Sequence, residues 1–120
     1  MTWTYSQSTG NISRDGVPVG HGYSGHDEGI NNPDMEAVRN AGPIPAGRYS
    51  IGLPYTHATK GPASMNLIPV HHDAKGRTGF MVHGDNKKMN ITASLGCIIL
   101  APMIRRDISA SRDTDLEVVP

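Results

Sequence analysis

The chain has a single cysteine, a single tryptophan and a single phenylalanine among its 120 residues. One cysteine cannot close an internal disulfide or contribute to a multi-cysteine zinc site. Unless it crosslinks two chains, Cys97 is either a small buried hydrophobe or a working thiol. Charge of either sign is not in excess either, with 11 Lys+Arg against 11 Asp+Glu. A balanced chain offers no general basic field for nucleic acid or an anionic membrane. Long apolar runs are missing as well. The longest nearly apolar stretch, residues 97–104, is interrupted by Pro102 and is far short of the roughly 20 residues of a membrane-spanning helix. Residues 1–8 lack the cationic start and apolar core of a signal peptide, so synthesis in the cytoplasm without such a leader is expected.

Large aliphatic and aromatic residues are also scarce: Leu, Ile, Val and Phe make up 23 of the 120 positions. In a highly charged chain that scarcity signals disorder, but the net charge here is zero. What is abundant is Gly (14) and Pro (9), which points to turns and short strands instead of long helices. The length suits one domain, 1–120, with no room for a second core.

Period-two alternation and turn chemistry place short strands at 2–6, 11–14, 17–23, 48–53, 65–71, 79–83, 96–100 and 116–119. Loops are expected at 24–33, 54–63 and 85–95. Pro33 and Pro102 each open a short helix, the second running to about residue 108. The expected fold is mostly β, an antiparallel barrel or sandwich with short peripheral helices.

The strands 79–83 and 96–100 carry the chemistry. Paired as antiparallel neighbours about 4.8 Å apart, they would bring the imidazole of His83 close to the thiol of Cys97. A thiol with an ordinary pKa of about 8.5 becomes a nucleophile when a histidine accepts its proton. Gly96 would let a substrate approach the backbone closely, and the N–H groups of Leu95, Gly96 and Cys97 could converge on an oxyanion. Ser94 could donate to substrate or hold the loop. The carbonyl of Gly84, or the carboxylate of Asp85, could orient the imidazole. A catalytic Cys97 should then be readily alkylated; an inert one would leave a core cysteine.

Other residues carry weaker expectations. His71 and His72 point to opposite faces of a strand and cannot easily share a metal ion with His83, so no metal site is expected. His21 and His26 flank the Tyr23-Ser24-Gly25 turn, and Tyr23, together with Asp85, could meet a substrate peptide. Arg48, Lys87 and Lys88 could meet substrate carboxylates. Gly76-Arg77-Thr78-Gly79 reads as a turn, and Arg105-Arg106 as the exposed side of a helix. Asn31-Asn32-Pro33 most simply caps the short helix.

The segments Phe80-Met81-Val82-His83-Gly84-Asp85 and Ser94-Leu95-Gly96-Cys97-Ile98 resemble the catalytic signature of L,D-transpeptidases, His-Gly followed by Ser/Thr-His-Gly-Cys. From Trp3 to Val119 the chain is more closely similar to small L,D-transpeptidase-like peptidoglycan toxins delivered by type VI secretion systems, and to related prophage proteins. Tyr23-Ser24-Gly25, Gly29-Ile30-Asn31-Asn32-Pro33 and Gly42-Pro43-Ile44-Pro45-Ala46-Gly47-Arg48-Tyr49 belong to that closer likeness. The resemblance implies Cys97 as acyl-forming nucleophile, His83 as general base and Gly84 as its main-chain orienter. It further implies an oxyanion hole at Leu95, Gly96 and Cys97, and no cofactor. Leu95 replaces the motif's histidine, and Ile99 stands where many members carry Arg or Asn. Those departures favour the toxin-like subgroup, with L,D-carboxypeptidase cleavage and D-amino-acid exchange on tetrapeptide stems. Such a protein would be secreted into a target cell's periplasm, and would have secretion machinery and an immunity protein as partners. A non-catalytic cell-wall-binding or phage-derived structural module on the same fold is the competing expectation.

Overall fold

The computed structural model describes residues 2–85, 94 and 96–120. Strand β1 (Thr2–Ser6) buries Trp3 and Tyr5 on one face and leaves the intervening residues half-exposed, the alternation of a strand with one face on a core. β2 (Asn11–Arg14) turns into β3 (Val17–His21) through Asp15-Gly16. Both turn residues have positive φ, 50° and 81°, the combination a tight primed hairpin turn requires. β4 is the short Tyr23–Ser24. The 3-10 turn Pro33–Met35 follows, capped by the Asn32 side chain, which accepts from Asp34 N–H. β5 (Gly47–Ile51) then enters the core through Tyr49 and Ile51.

Residues 54–63 are not a loop. β6 (Tyr55–His57) and β7 (Gly61–Val70) form a hairpin. Pro62 and the irregular pairing between Tyr55 and His57, with Ala63 at φ 55°, obscure its alternation in the sequence. β7 links the two parts of the sheet. Its start pairs with β6, Met65 and Asn66 pair with β8 (Met81–His83), and Leu67 to Val70 pair with β5. After β9 (Ile98–Ile99), helix α1 (Pro102–Ser111) runs further than the sequence suggested. Pro102 occupies its first turn, and Arg112 ends it in the left-handed conformation, φ 59°. β10 (Asp115–Val119) closes the order, burying Leu116 and Val118.

The strands run β3-β2-β1-β10-β5-β7-β8-β9-β4, with β6 on β7, in one mixed sheet that does not close among the described residues. The mostly β class holds, but two pairings are parallel instead of antiparallel: β1 with β10, and β8 with β9. The second changes the derivation of the site. Residues 84–97 are long enough for the crossover that parallel strands need, so nothing forces a hairpin return. The core gathers Trp3, Tyr5, Tyr49, Met65, Ile98 and Leu116 from both parts of the sheet, with Ile108 from α1.

Candidate active site

The parallel register pairs Val82 with Ile98 and His83 with Ile99. One step back along β9, Cys97 stands beside Met81, whose backbone N–H bonds toward the sulfur. Residues two apart share a strand face, and directly paired residues share a side of the sheet. His83 and Cys97 therefore still lie on one face, offset along the strands. Both line a cleft of about 450 Å³ together with Arg39, His57, Lys60, Arg77 and the 78–81 segment.

His83 is 1% exposed. Its Nδ1 lies 2.8 Å from the carbonyl oxygen of Gly84. A carbonyl only accepts, so Nδ1 carries the hydrogen and Nε2 of the neutral ring keeps its lone pair. Nε2 is buried and has no hydrogen-bond partner among the described residues. Burial holds the imidazole below the ordinary histidine range, against the smaller opposing effect of the Gly84 bond. Asp85 does not compete for this role. Its Oδ1 accepts from Tyr23 Oη at 2.9 Å, joining β4 to the end of β8.

Cys97 is partly exposed, and its thiol faces the carbonyl of Gly79 at 3.7 Å. Burial pushes the thiol up from its ordinary value, while the Met81 N–H, Lys60 and Arg77 act the other way. The resting pair is thus a neutral thiol and a neutral imidazole. Alkylation of Cys97 in the free protein is accordingly expected to climb only as pH passes above the ordinary thiol range. A rate already at its plateau near pH 6 would contradict a buried thiol.

The peptide before the sulfur is tied down by two serines. Ser94 is fully buried; its Oγ donates to the Cys97 carbonyl at 2.7 Å and accepts from the N–H groups of Gly96 and Gly25, each at 3.0 Å. Ser24 Oγ donates to the Gly96 carbonyl at 3.2 Å and accepts from Ile44 N–H at 2.9 Å. Ser94 thus takes the loop-holding role, of the two the sequence allowed. The Gly96 N–H, expected in the oxyanion hole, is engaged by Ser94. Leu95 lies outside the described residues, as do Lys87 and Lys88. Gly96 itself sits at φ 139°, and a Cβ there would run into the Arg77 guanidinium.

Arg105 contradicts its sequence reading, and Arg77 does more than make a turn. Arg77 is 6% exposed. It donates to the carbonyls of Glu36 (2.6 Å), Pro43 (2.8 Å) and Gly42 (3.1 Å), and lies 5.4 Å over the Phe80 ring. Arg105 is equally buried, not on the exposed side of α1. It donates from Nε to the Leu100 carbonyl and from Nη1 to the Pro62 carbonyl. A side chain on Gly84 would meet this guanidinium, so Arg105 packs against the backbone that orients His83. Neither role has a signal in the sequence, because an arginine in a turn or beside a second arginine reads as solvated until the chain folds over it.

The remaining expectations divide. Tyr23, Ser94 and Asp85, read as substrate-binding, are not among the described residues lining the cleft. Nor are His21 and His26. Arg48 pairs with Asp115 at 2.5 Å and Glu117 at 3.2 Å. His72 bonds the Arg48 carbonyl through Nε2 and the Ala74 N–H through Nδ1. Among the described residues no group of three or more His, Cys, Asp or Glu could hold a metal ion. His57 and Lys60 were missed because their hairpin reads as a loop.

This fold is that of an L,D-transpeptidase. The crystal structure of Mycobacterium tuberculosis L,D-transpeptidase 1 superposes with a TM-score of 0.55 at 17% identity, covering 99% of this chain and 61% of that one. The chain thus spans less than two thirds of that enzyme's length. Residues 19–117 match the Tlde1 domain model, and the chain belongs to that family, the L,D-transpeptidase effectors of type VI secretion. No curated protein sequence matches it.

Proposed function

We propose that the chain is a cysteine-dependent peptidoglycan L,D-carboxypeptidase and exchange enzyme, acting as a secreted antibacterial effector in the periplasm of a target cell. The observation that carries the reading is the orphaned Nε2 of His83, with Nδ1 fixed on Gly84, in the same cleft as Cys97. A buried ring nitrogen without a partner is costly unless something else uses it.

In the proposed reaction Cys97 Sγ attacks the carbonyl at the L-centre of meso-diaminopimelate in a tetrapeptide stem. His83 Nε2 takes the thiol proton as the C–S bond forms, and passes it to the departing D-Ala nitrogen as the C–N bond breaks. The thioester is then cleaved by water, giving a tripeptide, or by the amine of another D-amino acid, giving exchange. Of the three expected oxyanion donors, the Cys97 amide is the one that is both described and not engaged by Ser94. Peptide stems bear carboxylates, and the described lining of the cleft has cationic side chains and no acidic one. No cofactor enters this chemistry. Secretion machinery and a cognate immunity protein would be the partners, the latter covering the Cys97 cleft.

Mass spectrometry of purified tetrapeptide muropeptides tests the proposal. The expected result is loss of one alanine residue, with the product replaced by a D-amino-acid adduct when that amino acid is added in excess. Unchanged tetrapeptides under reducing conditions would remove the enzymatic reading and leave the binding-module alternative.

A further inference from the structure

The cleft cations are not equivalent. Arg77 is committed to three backbone carbonyls, and Arg39 donates to the Gly76 carbonyl. Lys60 lines the cleft with an exposed side chain and forms no ion pair with a described residue. Its backbone is nevertheless held. His57 Nδ1 accepts from the N–H groups of Thr59 (3.1 Å) and Lys60 (3.2 Å), closing the β6–β7 turn, and His57 itself lines the cleft. The ammonium is thus carried on a long stem from a fixed turn at the rim of the cleft that holds both reacting groups.

Resting on the carboxypeptidase reading above, we infer that Lys60 receives the C-terminal carboxylate of the stem peptide and thereby restricts the enzyme to stems ending in a free D-amino acid. The geometry suits the chemistry. In the leaving D-amino acid, one carbon separates the scissile nitrogen from the carboxylate, so the anion must lie close to the thiol and imidazole. Among the described residues, Lys60 is the cation whose charge acts on both of them. A strongly hydrated ammonium on a flexible stem suits a carboxylate that arrives with substrate and leaves with product. A stem whose terminus is amidated or extended by a further residue would leave that charge without its partner. Sites built for a polar group discriminate strongly against its absence.

Two substrates separate this role from a general effect of charge on the thiol: the tetrapeptide stem as free acid and as C-terminal amide. Lys60→Met is expected to lower the acid-to-amide ratio of kcat/KM about tenfold or more, the loss of one charge-assisted bond made only by the acid. Lys60→Arg should keep most of the acid preference. Any change in thiol reactivity affects both substrates alike and cancels in their ratio. An acid-to-amide ratio unchanged in Lys60→Met overturns the inference even if D-Ala release is robust. Binding to Cys97→Ala protein gives an independent readout. Tighter binding of acid than amide, abolished by adding Lys60→Met, upholds the inference even if no turnover is found; equal binding of acid and amide overturns it.

Discussion

Cys97→Ala is expected to lower D-Ala release by on the order of a thousandfold or more, to the limit of detection, with the fold intact. Both halves of that expectation come from the structure. The sulfur is the group placed in the cleft with the orphaned imidazole, so its removal deletes the atom that forms the thioester. Its described hydrogen-bond contacts are weak, a 3.7 Å approach to the Gly79 carbonyl and the Met81 N–H, so little packing is lost and stability should change by no more than about 1 kcal/mol. Cys97→Ser should be almost as inactive, because a serine hydroxyl is a far weaker nucleophile beside a single neutral imidazole. The measurement is tripeptide yield by mass spectrometry alongside a thermal melt. Full activity in Cys97→Ala would exclude covalent catalysis at this residue.

Arg77→Met is expected to produce the largest loss of stability, about 3 kcal/mol or more and a fall in Tm on the order of 10 °C, read by thermal denaturation. The guanidinium is planar, and it bridges the carbonyls of Glu36, Gly42 and Pro43 from beneath the Gly96–Cys97 peptide. Methionine can fill the space over Phe80 but leaves those acceptors without their donor. Lysine cannot reproduce the fork that reaches them from two nitrogens. Activity should fall too, since the 36–43 segment and Gly96 lose the group that spaces them. A variant as stable as the parent would show that water can replace the guanidinium there.

The acid side of the reaction offers a milder test. Burial keeps His83 neutral to lower pH than an ordinary histidine. The acid limb of kcat/KM should therefore lie below about pH 6.5, activity being lost as pH falls through the depressed value. A limb above pH 7 would mean that a charged imidazole is stabilised in the free enzyme.

How far the sequence was legible depends on the range of the interactions involved. Alternation along 2–6, 11–14 and 116–119 is a property of each strand alone, and those strands are where period two puts them. The cap at Asn32 and the proline at the start of α1 are equally local. The 55–70 hairpin escaped because Pro62 and a pairing irregularity break its period. The strand ending at His83 and the strand that begins after Cys97 were found, but their relative direction was not, because the pattern within a strand says nothing of its partner's direction.

Read alone, the chain points to a mostly β fold of one domain's length, to His83-Gly84 and Ser94 to Cys97 as candidate site segments, and to a likeness to the L,D-transpeptidase effectors. That β8 and β9 run parallel, and that Ser94 accepts from the Gly25 N–H, emerges only on folding. Only the tertiary structure shows that Arg77 and Arg105 are buried supports, and that Lys60 reaches the cleft from a distant hairpin. The physical reason is common to all four. Each depends on groups far apart in the chain, where burial turns a charge or an amide that looks solvated into one that must find a partner.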